Sequence, residues 1–192
     1  MVTIRNEIAN DVGAREALLD RVWGPARFQK TAQRLREGVS PAEGLSFAAV
    51  HDRKRLVGTI RLWPVSAGPG RPALLLGPLA VEEAWRGLGI GSTLMRRAMT
   101  AARRRGHEAV LLVGDAPFYG RFGFSAEKTD ALWLPGPYER DRLLGCELVP
   151  GALDGARGLI SATGRPVRVP APSLDALIAD LARSDAAARH AA

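Results

Sequence analysis

Apolar residues cluster most densely in residues 73–81, Ala-Leu-Leu-Leu-Gly-Pro-Leu-Ala-Val, a stretch without a charge. A short run of this kind is expected at the centre of a sheet, where both faces are covered. Two segments upstream, residues 47–51 and 56–65, read as a hairpin around the polar turn Asp52-Arg53-Lys54. Residues 2–9 alternate weakly and predict a first strand. Between that strand and the hairpin, Ala14, Leu18, Leu19 and Val22 share one face of a predicted helix over residues 11–22. A second, shorter helix is predicted over residues 30–37, with Gly38 as its stop. Pro69 and Pro72 break the chain before the central strand.

The period changes after residue 91. Leu94, Met95, Ala98, Met99 and Ala102 recur at helical spacing up to about Arg105, and Gly106 ends the helix. Residues 109–113 predict a buried strand, residues 117–122 a helical turn, and residues 131–134 and 143–149 two closing strands. The order is strand, two helices, antiparallel meander, helix, strand, short helix, two strands. That order is a mixed α+β domain, expected to span residues 1–150. Beyond Pro150 the composition turns to Gly, Ala and Pro, so residues 151–192 read as a C-terminal extension. Within it Ser173 caps a predicted short helix with the stripe Leu174, Leu177, Ile178 and Leu181, and residues 185–192 are expected to fray. The stripe needs a cover, from this domain or from a partner, and a homodimer is one such arrangement.

Composition narrows the classes. The chain has 192 residues, 46% of them hydrophobic and 24% charged, an ordinary globular balance. No apolar run reaches the roughly 18 residues of a membrane span. Charges stand in residues 1–10 where a signal peptide would be apolar, so a cytoplasmic protein with no membrane association is expected. One cysteine, Cys146, and three histidines, His51, His107 and His190, show no metal-ligand spacing, and no metal is expected. The net charge of +7 is carried almost wholly by arginine, since Lys30, Lys54 and Lys128 are the only lysines. Guanidinium groups suit phosphate-bearing partners. Most of these arginines nevertheless read as a solvated surface. The run Arg103-Arg104-Arg105 ends a helix, where positive charge is favourable without a ligand, and no nucleic-acid motif accompanies it. Nucleic acid is therefore not an expected partner.

The chemistry concentrates where the central strand ends. The strand closes on Leu79, Ala80 and Val81 and is followed by Arg86, Gly87, Leu88, Gly89, Ile90, Gly91 and Ser92, which open the long helix. Glycines let the backbone turn tightly and approach a ligand. The first helical amides lack internal partners and point at the positive end of the helix dipole, so a pyrophosphate fits there. A P-loop is excluded, because Gly91-Ser92-Thr93 lacks its lysine. A dinucleotide fingerprint starting at Gly87 fits poorly: its last glycine would be Ser92, and the loop follows a meander and not the first strand of a βαβ unit.

Arg86-Gly87-Leu88-Gly89-Ile90-Gly91 resembles the acyl-CoA loop of the GNAT superfamily of N-acyltransferases, R/Q-x-x-G-x-G/A, at every defined position. Tyr119-Gly120-Arg121-Phe122-Gly123-Phe124 resembles that family's Tyr-x-x-x-Gly-Phe element. The similarity spans residues 2–150, with specific motifs only in residues 76–124, and looks closest to the predicted acetyltransferases labelled YhbS-like. It implies a mostly antiparallel sheet flanked by helices, and acetyl transfer from acetyl-CoA to an amine on a small molecule or peptide, directly within a ternary complex. It implies that Leu79, Ala80 and Val81 splay away from the next strand and pair with the pantetheine arm. The amides of Leu88, Gly89, Ile90, Gly91 and Ser92 would hold the pyrophosphate, Arg86 would sit at the loop's entrance, and Gly87 would belong to the same coenzyme-binding loop. The asparagine that many members carry before the tyrosine is missing here.

Tyr119 is the expected catalytic residue, a phenol that protonates the departing thiolate. Its alternative is packing with Phe118, Phe122 and Phe124. No base stands out: Glu82 and Glu83 lie beyond the strand, and His51 sits at a hairpin end. Cys146 reads as a small hydrophobe. The acceptor is expected to meet the first two helices, residues 64–72 and residues 133–142. Trp63, Trp133 and Tyr138 are candidates to line it. Lys30, Arg34 and Arg36 read as candidate contacts for an acidic substrate and, equally, as an ordinary charged face. A non-catalytic acyl-CoA-binding module is the rival expectation; it would not need Tyr119.

Overall fold

A computed structural model describes residues 1–167 of the chain. The helix expected around Ser173 lies outside the described residues. The sheet runs β1(Val2–Asn6), β2(Ser46–His51), β3(Arg55–Ala67), β4(Pro72–Val81), β5(Ala109–Val113) and β7(Leu143–Glu147), with β6(Leu132–Trp133) and β8(Gly158–Ala162) attached beside β3. All pairings along the main path are antiparallel except β4 with β5.

Strand alternation distributes the helices over two faces. On β2, Phe47 and Ala49 join the cluster built on α3(Ile90–Arg104), with Leu94, Met95 and Ala98. Ala48 and Val50 point the other way and pack with Leu18 and Leu19 of α1(Val12–Trp23). Further along that second face, Trp63, Val65, Leu75 and Leu111 pack with Ala32 of α2(Thr31–Arg34) and with Leu132 and Ile160. Burying side chains on both faces makes the central strands apolar throughout, as the sequence indicates. The connection from β1 into α1 carries buried charge: Glu7 accepts from Arg61 at 2.7 and 3.0 Å and also pairs with Arg15. Paired in this way, the carboxylate is compensated in a setting where an unpaired charge would be costly.

Several expectations need adjustment. The helix expected over residues 30–37 is shorter, four residues of α2 preceded by a 3-10 turn over Pro25–Gln29. The expected strand over residues 131–134 is the two-residue β6, and it pairs in parallel with β8, not with β7. The packed chain also continues past Pro150. Leu153, Ala156 and Ile160 are buried, and Ile160, Ser161 and Ala162 pair with Ala67, Ser66 and Val65 of β3. Only Ile160 of β8 is buried, which leaves little hydrophobic pattern to detect.

Candidate active site

Two adjoining features share the parting of β4 from β5. Their parallel pairing is confined to Leu74↔Val110 and Leu75↔Leu111. Beyond Leu75, β4 keeps its ladder with β3 as far as Gly58↔Val81, but its other edge has no partner strand among the described residues. The divergence coincides with a bulge. Ile60 faces Leu79 and Leu62 faces Leu76, so Gly77 and Pro78 both stand opposite Arg61. Gly77 has φ +132°, a region that favours glycine, and the buried indole Nε1 of Trp63 donates to its carbonyl at 2.5 Å. A strand edge without a partner strand leaves main-chain donors and acceptors available.

The first feature is the glycine loop. Gly87 and Gly89 take φ +80° and +77°, left-handed values that explain their identity. Gly91 is different: it lies in the first turn of α3, and a Cβ there would sit 3.7 Å from Val81 Cγ2 and 3.8 Å from Phe118 Cζ. Thr93 N–H donates to Gly89 at 2.9 Å, whereas no amide of residues 87–92 donates to a described backbone oxygen. Residues 86–89 are exposed, and the Arg86 side chain donates to the Val81 carbonyl at 3.4 Å. Leu79, Ala80 and Val81 lead directly into this loop. The residues singled out from the sequence therefore come together at the open edge of β4 and the start of α3.

The second feature is a cleft of about 380 Å³ on the face that carries α1 and α2. Its floor is formed by Leu76, Gly77, Pro78 and Leu79 on one side and by Val113, Gly114 and Asp115 on the other. The first two helices contribute Leu19, Trp23, Lys30 and Arg36, and the loop before β7 contributes Leu134, Tyr138, Glu139 and Arg142. That loop is tied to α2, because Thr31 donates to the Pro137 carbonyl and Arg34 to that of Pro135 at 2.8 Å. Of the expected acceptor contacts, Tyr138, Lys30 and Arg36 reach the cleft. Trp63 is buried beneath the bulge, Trp133 is exposed elsewhere, Arg34 secures the loop, and residues 64–72 do not line the cleft.

Tyr119 ends the four-residue helix Ala116–Tyr119 and lines the cleft. Its ring packs edge-on against Phe118 and Phe124, at 4.9 and 6.1 Å between centroids. Packing and a place in the cleft are thus combined in one residue. A Cβ on Gly114 would stand 2.2 Å from Tyr119 Cε2, so the ring occupies the space a side chain there would need. Burial, with a smaller push from the Asp115 carboxylate, raises the phenol to about 12, against the opposing effect of Arg142 and Arg36. Tyr119 is therefore neutral throughout the physiological range.

Acids and bases around the cleft are unevenly paired. Glu82 lies outside it, bonded to Arg21 at 2.8 Å, and that bond first and foremost holds its carboxyl below the usual range. Glu83 and His51 also lie outside, and His51 packs on Trp85 at 4.5 Å. Asp115 and Glu139 line the cleft, and both face Arg142, at 3.1 and 3.4 Å. Arg36 is the exception. Its Nε is buried without a hydrogen-bond partner, and no described carboxylate pairs with its guanidinium. Burial pulls it down to about 10, which still leaves it charged at neutral pH. Cys146 is buried and away from the cleft, with burial raising its thiol. Among the described residues no group of side chains could hold a metal ion, and no helix is long and apolar enough to cross a membrane.

Comparison with known proteins identifies the family. The profile of the Acetyltransferase (GNAT) family matches residues 14–124. The uncharacterized N-acetyltransferase YhbS of Escherichia coli K12 is 30% identical over 158 residues, covering 82% of this chain and 93% of that protein. The crystal structure of YhbS from Escherichia coli in complex with CoA superposes with a TM-score of 0.71 at 28% identity, over 84% of this chain and 89% of that one. A GNAT family acetyltransferase from Brucella melitensis in complex with acetyl-CoA gives 0.53 at 27% identity, over 75% and 94%. An open β4 edge feeding a glycine loop, joined to this likeness in sequence and shape, makes the chain a member of the GNAT acetyltransferase family, an N-acyltransferase built on an eight-stranded mixed sheet.

Proposed function

We propose that the protein transfers an acetyl group from acetyl-CoA directly to an amine held in the cleft, with Tyr119 as the proton donor to sulfur. The observation that carries this reading is the continuity of loop, open edge and cleft. Six amides in residues 87–92 and the edge of Leu79, Ala80 and Val81, both without a backbone partner among the described residues, and the Tyr119 ring follow one another along the parting of the sheet. Bare amides at a helix start fit a pyrophosphate, and an open strand edge fits an amide-bearing arm. The glycine conformations and the small side at Gly91 leave room for both.

Direct transfer forms one N–C bond and breaks one C–S bond. The amine loses a proton and the sulfur gains one. Tyr119, raised to about 12, is a weaker acid than an ordinary thiol at ~8.5, so it does not end as a phenolate. Its proton can pass to sulfur only as the proton released from nitrogen replaces it. Tyr119 then acts as a relay and leaves the step unchanged. Cys146 takes no part, being buried away from the cleft.

The test has two parts. Calorimetry of the full chain with coenzyme A and with acetyl-CoA should show saturable uptake. Thiol release from acetyl-CoA across a panel of amines should then show turnover that drops at least about 10²-fold in Tyr119→Phe, with coenzyme affinity kept. No uptake overturns the coenzyme site. Uptake with equal turnover in the variant overturns the role of Tyr119.

A further inference from the structure

An acyltransferase that accepts a cationic polyamine or a lysine side chain has reason to place carboxylates around the acceptor. This cleft has the opposite character. Four cations line it, Arg27, Lys30, Arg36 and Arg142, against two carboxylates, Asp115 and Glu139. Both carboxylates face the same arginine. Arg27 is neutralised from outside the cleft by Glu16 and Asp20, at 2.6 and 2.8 Å. Lys30 has no described carboxylate and rests its ammonium 3.7 Å from the centre of the Trp23 ring. Arg36 has neither a carboxylate nor a partner for its Nε among the described residues.

Arg36 is also held in position. Its Nη2 occupies the space in front of Gly77, where a Cβ would come within 2.7 Å. A half-buried guanidinium kept at the divergence of two strands, its Nε enclosed and with no carboxylate partner among the described residues, is costly to the fold. Removing a charge from water is offset when an oxyanion arrives, because the planar fork pairs with carboxylate or phosphate. The coenzyme's pyrophosphate is not that oxyanion on the present reading. From Gly77 to Val81 the strand advances four residues, roughly 13 Å, before the glycine loop begins.

We infer that Arg36 is the receptor for an anionic group on the acceptor, so that the substrate is a small amine that also carries a carboxylate or a phosphate. This inference rests on the acyl-transfer reading proposed above. The anion docks on Arg36 beside Gly77, with Lys30 at the mouth of the cleft, and the amine end faces Tyr119.

Two measurements test this. The first compares kcat/KM by thiol release for matched acceptors: amino acids against their amides, and phosphoethanolamine against ethanolamine. The anionic member of at least one pair should be favoured by about tenfold or more. In Arg36→Met the preference should fall to about one. The pair that shows it separates a carboxylate from a phosphate requirement. Equal use of both members of every pair, a preference for a polyamine, or an equal fall for acid and amide in the variant overturns the inference. Arg36→Met removes an unpartnered charge and is expected to melt no lower than the parent.

The second measurement does not need turnover. The Nε–H signal of Arg36, assigned by its loss in Arg36→Met, is followed by NMR in the coenzyme A-loaded protein during titration with acetate and with inorganic phosphate. Chloride at matched ionic strength is the control. A saturable shift with either oxyanion is expected. A shift no different from chloride overturns the inference while leaving coenzyme uptake, and so the acyl-transfer reading, intact. A shift produced by coenzyme A alone assigns the guanidinium to the coenzyme and also overturns it.

Discussion

Trp63 and Gly77 are joined by a buried hydrogen bond, indole Nε1 to carbonyl oxygen at 2.5 Å, across the β3–β4 bulge. The bond gives a partner to a carbonyl that the irregular ladder would otherwise leave unsatisfied, at the point where β4 leaves β5. Trp63→Phe keeps most of the ring and removes the donor. It should cost about 1–3 kcal/mol, the penalty for stranding a buried acceptor. Urea unfolding is the check: the midpoint should fall with the slope unchanged. Calorimetry with coenzyme A should show weaker uptake, because the open edge would be less well held.

The Tyr119 phenol is raised by burial to about 12, from an ordinary ~10. A proton donor must be protonated, and a raised pKa extends its protonated range upward. At saturating acceptor and acetyl-CoA, kcat should therefore show no falling limb from this group below about pH 11, where an ordinary phenol would already be mostly ionised. Any rising limb at lower pH belongs to the acceptor amine. A fall centred near pH 10 that persists in Arg36→Met, which removes the one cleft guanidinium brought down to about 10, would contradict the assignment.

Gly114 gives a steric test of the same residue. Alanine there would put a methyl carbon 2.2 Å from Tyr119 Cε2, so the ring has to move. Displacement of about 1 Å at a reacting group costs about 10²-fold. Gly114→Ala should lower kcat by about that factor. The Gly114 N–H bond to the Arg142 carbonyl at 2.9 Å is unaffected by the substitution, which should limit the loss of stability.

Gly89 and Gly91 should behave oppositely. Gly89→Ala forces a side chain into φ +77°, which costs about 1–2 kcal/mol and reshapes the loop. Gly91→Ala lies in a helical turn with ordinary contacts of 3.7 and 3.8 Å, and it should be neutral or stabilising by up to about 1 kcal/mol. If its glycine serves close approach of the coenzyme, Gly91→Ala should still weaken coenzyme A binding. Thermal melting and calorimetry on the two variants separate backbone need from ligand need.

The long helix and its loop were legible because local signals agree: an apolar strand, glycines, then a 3.6-residue period with a charged face. Residues 79–92 are contiguous, so their assembly needs no tertiary information. The acceptor side was legible only in part. Arg36 looks like Lys30 and Arg34 in sequence, yet its surroundings are set by Gly77, forty-one positions away, and by a bulge that no local pattern announces. Trp63 carries the same lesson, since an isolated aromatic gives no sign of which carbonyl it will meet. β8 was missed because one buried residue in five leaves no alternation to read.

The middle of the chain serves two clients. One stretch of β3 is paired with β2 up to Arg61↔Ser46, and its last residues, Val65 to Ala67, are zipped by β8. Cutting the gene at codon 150, where composition suggests a seam, would strip that late partner and bare a row of main-chain donors and acceptors. Exposed borders of that kind recruit other chains. Shortened versions ending there should clump on expression, whereas versions that retain residue 167 keep the border closed.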